Sequence, residues 1–256
     1  MIREQHDGVL TIGFDRPDRL NAVNAGILAD LADVVEQAAQ DPQVRVIVLR
    51  GEGRAFCSGA DLGDGASDAP PGTDTIVEGN RLVRALTGAP QPVVTVARGA
   101  VAGIGVPVAL AGDLVVCDDT SFLLLAFTRI GLMPDGGASA LVAAAIGRAR
   151  TMRMALLAER MPAQDALDAG LVTHLFAAAE LDERVDELVA TLRSGPAAAY
   201  AATKRVVNAA TLGSLEQAFT LEHDGQEALL QAADFREGAA AFREKRTPSY
   251  SDSPLD

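Results

Sequence analysis

The chain has 256 residues, 48% of them hydrophobic and 22% charged, and a net charge of −13. That is enough apolar sequence for one substantial core with an appendage, in a chain of ordinary globular composition. The negative charge argues against nucleic acid or an anionic membrane surface as the main partner, and no apolar run reaches the roughly 18 residues that span a bilayer.

Val9 to Phe14 reads as a strand that ends at the turn Asp15-Arg16-Pro17-Asp18. Asn24 is placed to cap a helix running to about Gln40, whose face carries Ile27, Leu28, Leu31, Val34 and Val35. Val44 to Arg50 is a near-continuous apolar run, as expected of a parallel strand covered on both faces. A loop is expected over Gly63 to Asp74, then a helix over Thr75 to Leu86 and a buried strand over Pro92 to Ala97. Gly105 to Gly112 reads as a short apolar helix and Asp113 to Cys117 as a further strand. Beyond Met133-Pro134-Asp135-Gly136-Gly137, helical spacing dominates: Ala138 to Ile146, Thr151 to Leu157, Ala163 to Ala169 and Leu181 to Arg193, with one short strand at Leu171 to Phe176. Pro196 suits the first turn of a helix to about Ala210, and Ser214 opens another to about Gln231. Alternating strands and helices followed by helices imply an α/β core with a helical C-terminal region.

Two glycine-rich turns, Ser58-Gly59-Ala60-Asp61 and Gly103-Ile104-Gly105, are expected to follow β-branched strands and to lead into helices. Glycine leaves backbone N–H groups open to a ligand at such places. Two N–H groups converging there, from Ala60 and Ile104, would form an oxyanion hole suited to a thioester carbonyl that becomes an enolate. The plainer reading is a pair of tight strand–helix connections. Cys57 and Cys117 sit in apolar runs and are expected to be buried, reduced thiols. His6, His174 and His223 fall in no motif, so neither a His-based triad nor a metal site is expected. Ser58 has no G-x-S-x-G around it, and Asp61 and Asp113 read as structural. Asp135 has two readings: cap of the helix that follows, or catalytic carboxylate. The start, Met1 to Asp7, is too polar for a signal peptide, and a cytoplasmic protein is expected.

Taken in order, Arg16-Pro17 through Asn21-Ala22, Ala55 through Leu62 (AFCSGADL), Gly99 through Asp113, Ile130 through Gly137 (IGLMPDGG) and Phe242 through Arg246 (FREKR) resemble the enoyl-CoA hydratase/isomerase, or crotonase, superfamily over nearly the whole chain. The resemblance implies a crotonase-like spiral of ββα turns over residues 1–195. It also implies a C-terminal helical region, 196–256, that trimerises, giving a homotrimer or a dimer of trimers. The substrate it implies is an acyl group carried as a coenzyme A thioester, with no prosthetic group and no metal. It makes Ala60 and Ile104 the oxyanion donors, with Ile where Gly is commoner. The implied acyl-CoA contacts are Arg16, Arg19, Ala22, Ser58, Ala60, Asp61, Leu62, Phe242 and Lys245. Of these, Phe242 and Lys245 would reach adenine and phosphate from the last helix.

The family's hydratases use two glutamates, and the matching positions here are Pro107 and Phe127. Neither carries a proton, and loss of a general base typically costs ~10²–10⁴-fold. Several isomerase branches carry an acidic residue where this chain has Asp135. Moving a double bond needs only one carboxylate, and a wall of Pro107, Leu125 and Phe127 would keep water from it. An enoyl-CoA isomerase is therefore expected. The alternatives are a weak hydratase, a hydrolase or dehalogenase-like enzyme with Asp135 as nucleophile, and a non-catalytic acyl-CoA binder. A nicotinamide-binding G-x-G-x-x-G would need a third glycine where Val108 stands.

Overall fold

The computed structural model describes residues 1–63 and 72–252. Among them the strands are β1 (Ile2–His6), β2 (Val9–Phe14), β3 (Val46–Gly51), β4 (Ala55–Cys57), β5 (Val93–Ala97), β6 (Ala100–Ala102), β7 (Leu114–Asp118), β8 (Phe122–Leu124), β9 (Met161–Pro162) and β10 (His174–Phe176). The helices are α1 (Ala25–Gln40), α2 (Asp74–Gly88), α3 (Gly105–Leu110), α4 (Ala138–Leu157), α5 (Ala163–Ala169), α6 (Leu181–Ser194), α7 (Ala197–Thr211), α8 (Leu215–Gln231) and α9 (Ala233–Glu244).

The chain winds in ββα turns: β3–β4–α2, β5–β6–α3 and β7–β8–α4. The first strand of each turn joins a large sheet of order β1-β2-β3-β5-β7-β10, and the second joins a small sheet of order β4-β6-β8-β9. Pairing is parallel except at β1–β2 and β8–β9. The apolar run of β3 follows from burial on both faces. Ile47 and Leu49 join the main core, while Val46 and Val48 pack under Leu181, Val185 and Val189 of α6. Asn24 caps α1 as expected, its side chain accepting the N–H of Ile27.

Several expectations needed correction. β1 was missed because IREQH is a polar edge strand whose pairing to β2 comes from backbone bonds. The strands before the two glycine turns, AFC and AVA, are not β-branched runs, since Val101 is their single β-branched residue. The first turn does not enter a helix directly, since the next one, α2, begins at Asp74. The expected loop at 63–74 falls largely on 64–71, outside the described residues. The two helices expected over 138–157 are found, meeting within α4 at Gly147, where φ 75° and ψ 162° break the helix. The last helix, α9, begins at Ala233, directly after α8 ends at Gln231.

Candidate active site

β4 and β6 lie side by side in the small sheet, so the turns at their C-terminal ends come together. Gly59 has φ 109° and Gly103 has φ 55°, both left-handed. A Cβ on Gly103 would come within 3.3 Å of the Gly59 Cα, and one on Gly59 within 3.4 Å of the Ala102 carbonyl. The two turns stack because neither has a side chain to hold them apart.

The first turn is held from the N-terminal segment. The Ser58 N–H donates to Leu20, the Val23 N–H to Gly59, and the Asp61 N–H to Val23. In this parallel bridge Val23 takes the groups on either side of Ala60, so the Ala60 N–H is turned away from it. The buried Asn21 amide fixes the segment in place, donating to Glu52 and Ala55 and accepting from the Arg16 N–H.

In the second turn, Ile104 has φ −59° and ψ −21°, an ordinary right-handed conformation that Ile accepts without strain. Its side chain is buried against Gly79 of α2 and Gly136. Neither the Ala60 nor the Ile104 N–H has a hydrogen-bond partner among the described residues. Two backbone donors on touching turns are therefore without a partner among the described residues.

The loop bearing Asp135 abuts the second turn. A Cβ on Gly136 would collide with Ile104 and lie 2.9 Å from Pro107. Asp135 is only 8% exposed. Its Oδ2 accepts the Gln226 amide N–H at 2.8 Å, while Oδ1 is buried without a partner among the described residues. Burial pushes this carboxyl up to about 7; the Gln226 bond opposes the rise and the charge of Glu222 adds to it. Pro107, Leu125 and Phe127 are all buried, with Pro107 directly against the loop.

Capping of α4 belongs to a different carboxylate. Glu222 of α8, 1% exposed, accepts the Gly137 N–H at 2.6 Å and the Ser139 N–H at 2.9 Å. The Asp135 side chain takes no N–H of that helix, so the cap reading of Asp135 does not hold. Glu222 and Gln226 were missed by sequence reasoning. The available signal was two polar residues in the buried stripe of α8, at i and i+4 among Leu215, Ala218, Phe219 and Leu230.

The expected ligand contacts separate into two groups. Arg16 donates to the Ala22 carbonyl at 2.8 Å and to Asp61 at 2.9 Å, and Ser58 Oγ donates to the Arg19 carbonyl at 3.4 Å. The Arg16 bond holds the Asp61 carboxyl below its ordinary range, helped by the Gly63 N–H. Leu62 follows, half-buried. Phe242 is 66% exposed on α9, and Lys245 is the exposed left-handed cap of that helix, with φ 55°. Among the described residues no hydrogen bond or ion pair joins Phe242 or Lys245 to the Arg16–Asp61 corner. Both cysteines are free, and burial pushes their thiols up to about 12. No group of three or more metal-ligating side chains occurs among the described residues. None of their helices is long and apolar enough to cross a membrane.

A family model described as enoyl-CoA hydratase/isomerase matches residues 4–253. The chain is 40% identical over 250 residues to a Rhodobacter capsulatus protein named "Probable enoyl-CoA hydratase", covering 97% of this chain and 96% of that one. It is 35% identical over 249 residues to the 1,2-epoxyphenylacetyl-CoA isomerase of Escherichia coli, covering 95% of each. A crystal structure of an enoyl-CoA hydratase from Mycobacterium avium subsp. paratuberculosis superposes with TM-score 0.93 at 49% identity, covering 98% of both chains.

Proposed function

Since the chain belongs to the enoyl-CoA hydratase/isomerase family, we propose that it shifts a double bond in an enoyl-CoA, with Asp135 as the single carboxylate base. The observation that carries this reading is the buried Asp135 with one unpartnered oxygen, on a loop touching the Ile104 turn. The thioester carbonyl accepts the Ala60 and Ile104 N–H groups. Asp135 removes a proton from C2 of a 3-enoyl thioester, and the negative charge moves onto the carbonyl oxygen. The resulting dienolate is held by the two N–H groups, and the same carboxyl returns the proton at C4. One base serves both carbons, so the reaction needs neither water nor a second acid.

A carboxyl poised near neutrality suits this work, since it must be ionised to take the proton and protonated to return it. The similarity to a named isomerase supports the reading, and the similarity to a named hydratase supports the second one, addition of water. Hydration would want an acid–base pair, and the positions matching the family's glutamates hold Pro107 and Phe127. The substrate's coenzyme A moiety is assigned to the Arg16–Asp61 corner together with Phe242 and Lys245, these two acting across a subunit boundary.

The deciding measurement compares wild type with Asp135→Asn on 3-hexenoyl-CoA, following formation of the conjugated thioester. Isomerisation should fall by ~10²-fold or more. Full activity in the variant, or rapid hydration of a 2-enoyl-CoA without any isomerisation by the wild type, would overturn the reading.

A further inference from the structure

We infer that α8 positions the base: Gln226 holds Asp135 Oδ2, Glu222 holds the loop just beyond it, and Oδ1 is therefore the oxygen that takes and returns the proton. This rests on the reading of Asp135 as the base.

Four bonds make the clamp. The Gln226 Oε1 accepts the Met133 N–H at 3.3 Å, which leaves its Nε2 to donate to Asp135 Oδ2 at 2.8 Å. One turn earlier on the helix, Glu222 accepts the N–H groups of Gly137 and Ser139. Residues at i and i+4 of a helix share a face, so α8 grips the loop on both sides of Asp135. The Met133 bond fixes which way the Gln226 amide points, since a flipped amide would turn an N–H toward the Met133 N–H.

The same bonds separate the roles of two buried carboxylates. Each oxygen of Glu222 already accepts a backbone N–H group, which commits this carboxylate to holding the loop. Asp135 has one oxygen held and one unpartnered among the described residues. A carbon acid offers no strong hydrogen-bond donor, so the oxygen that meets it is the one the protein leaves unpaired. Glu222 is the titratable group whose charge acts on Asp135. The other elements against this segment present Ile104 and Pro107 at Gly136, neither of them titratable, and the backbone of Asp234 in α9 at Gly131.

The test uses full-length Gln226→Met, of similar length but without the amide, assayed on 3-hexenoyl-CoA beside Asp135→Asn. We expect kcat to fall by on the order of 10–100-fold, with KM little changed, because the carboxyl loses its fixed orientation. The acid limb of the kcat–pH profile should move to higher pH, since the donor that favours the ionised form is gone. A purely structural Gln226 would lower the melting temperature without moving that limb. A folded Gln226→Met with wild-type kcat and an unmoved limb, beside an inactive Asp135→Asn, would overturn this inference and leave the base assignment standing. A fully active Asp135→Asn would overturn both. Should Gln226→Met fail to fold, Gln226→Glu keeps the length and sets a second carboxyl against Oδ2. Its limb should also move to higher pH, and an unmoved limb would overturn the proposal.

Discussion

Ile104 meets two requirements at once, because its N–H lies on the turn while its side chain fills the seam between Gly79 and Gly136. Its φ of −59° is one that proline also adopts. Ile104→Pro should therefore remove the N–H with little change of backbone, and kcat on a 3-enoyl-CoA should fall ~10²–10³-fold. A folded variant with wild-type kcat would remove Ile104 from the hole. Asp135 sets the pH dependence. Burial holds it up to about 7, and it acts as a base only when ionised. kcat should therefore rise as the pH passes upward through that value and fall in acid; a profile flat from about pH 5 to 8 would count against Asp135. The motif around Asp135 was legible as a candidate base or cap. Its partner Gln226 stands 91 positions away, and no local pattern joins the two.

At the scale of elements, α7 is tied to the core by one cation. Lys204 is buried, with Nζ 2.9 Å from Asp113 and donating to the carbonyls of Leu86 and Gln91. The pair borders a cleft of about 600 Å³ between α3, α4 and α7. Lys204→Met would leave Asp113 without its counter-charge, a loss that costs about 3–5 kcal/mol for a fully buried pair. The lower end is expected here, because the Asp113 side chain is still 25% exposed and accepts the Val93 N–H. Urea denaturation of Lys204→Met, and of the Lys204→Met/Asp113→Leu double variant, measures this. The double variant should recover much of the loss, and a single variant as stable as wild type would remove the tether. Long periodic elements such as α1 and α6 were legible from spacing. β8 and β9 were not, since strands of two or three residues have no period to read.

For the whole molecule, the exposed apolar side chains concentrate on helices of the second half: Met152, Leu156 and Leu157 on α4, Val206 and Val207 on α7, and Leu221 on α8. We propose that these faces are covered by further copies of the chain in a homotrimer or a dimer of trimers. Light scattering should report a mass of three or six chains, and a monomer at micromolar concentration would contradict it. The winding of the fold could be inferred from resemblance but not from periodicity, because the three ββα turns share a path and not a sequence. By itself the sequence determined where the glycine turns lie, that apolar strands alternate with helices, and that Pro107 and Phe127 cannot move protons. These are local properties, set by backbone freedom, side-chain period and functional-group chemistry. Only the tertiary structure decided which of two carboxylates caps α4 and which keeps an oxygen unpaired. Desolvation and the choice of hydrogen-bond partner arise where distant segments pack, and here α8 brings Glu222 and Gln226 to either side of Asp135.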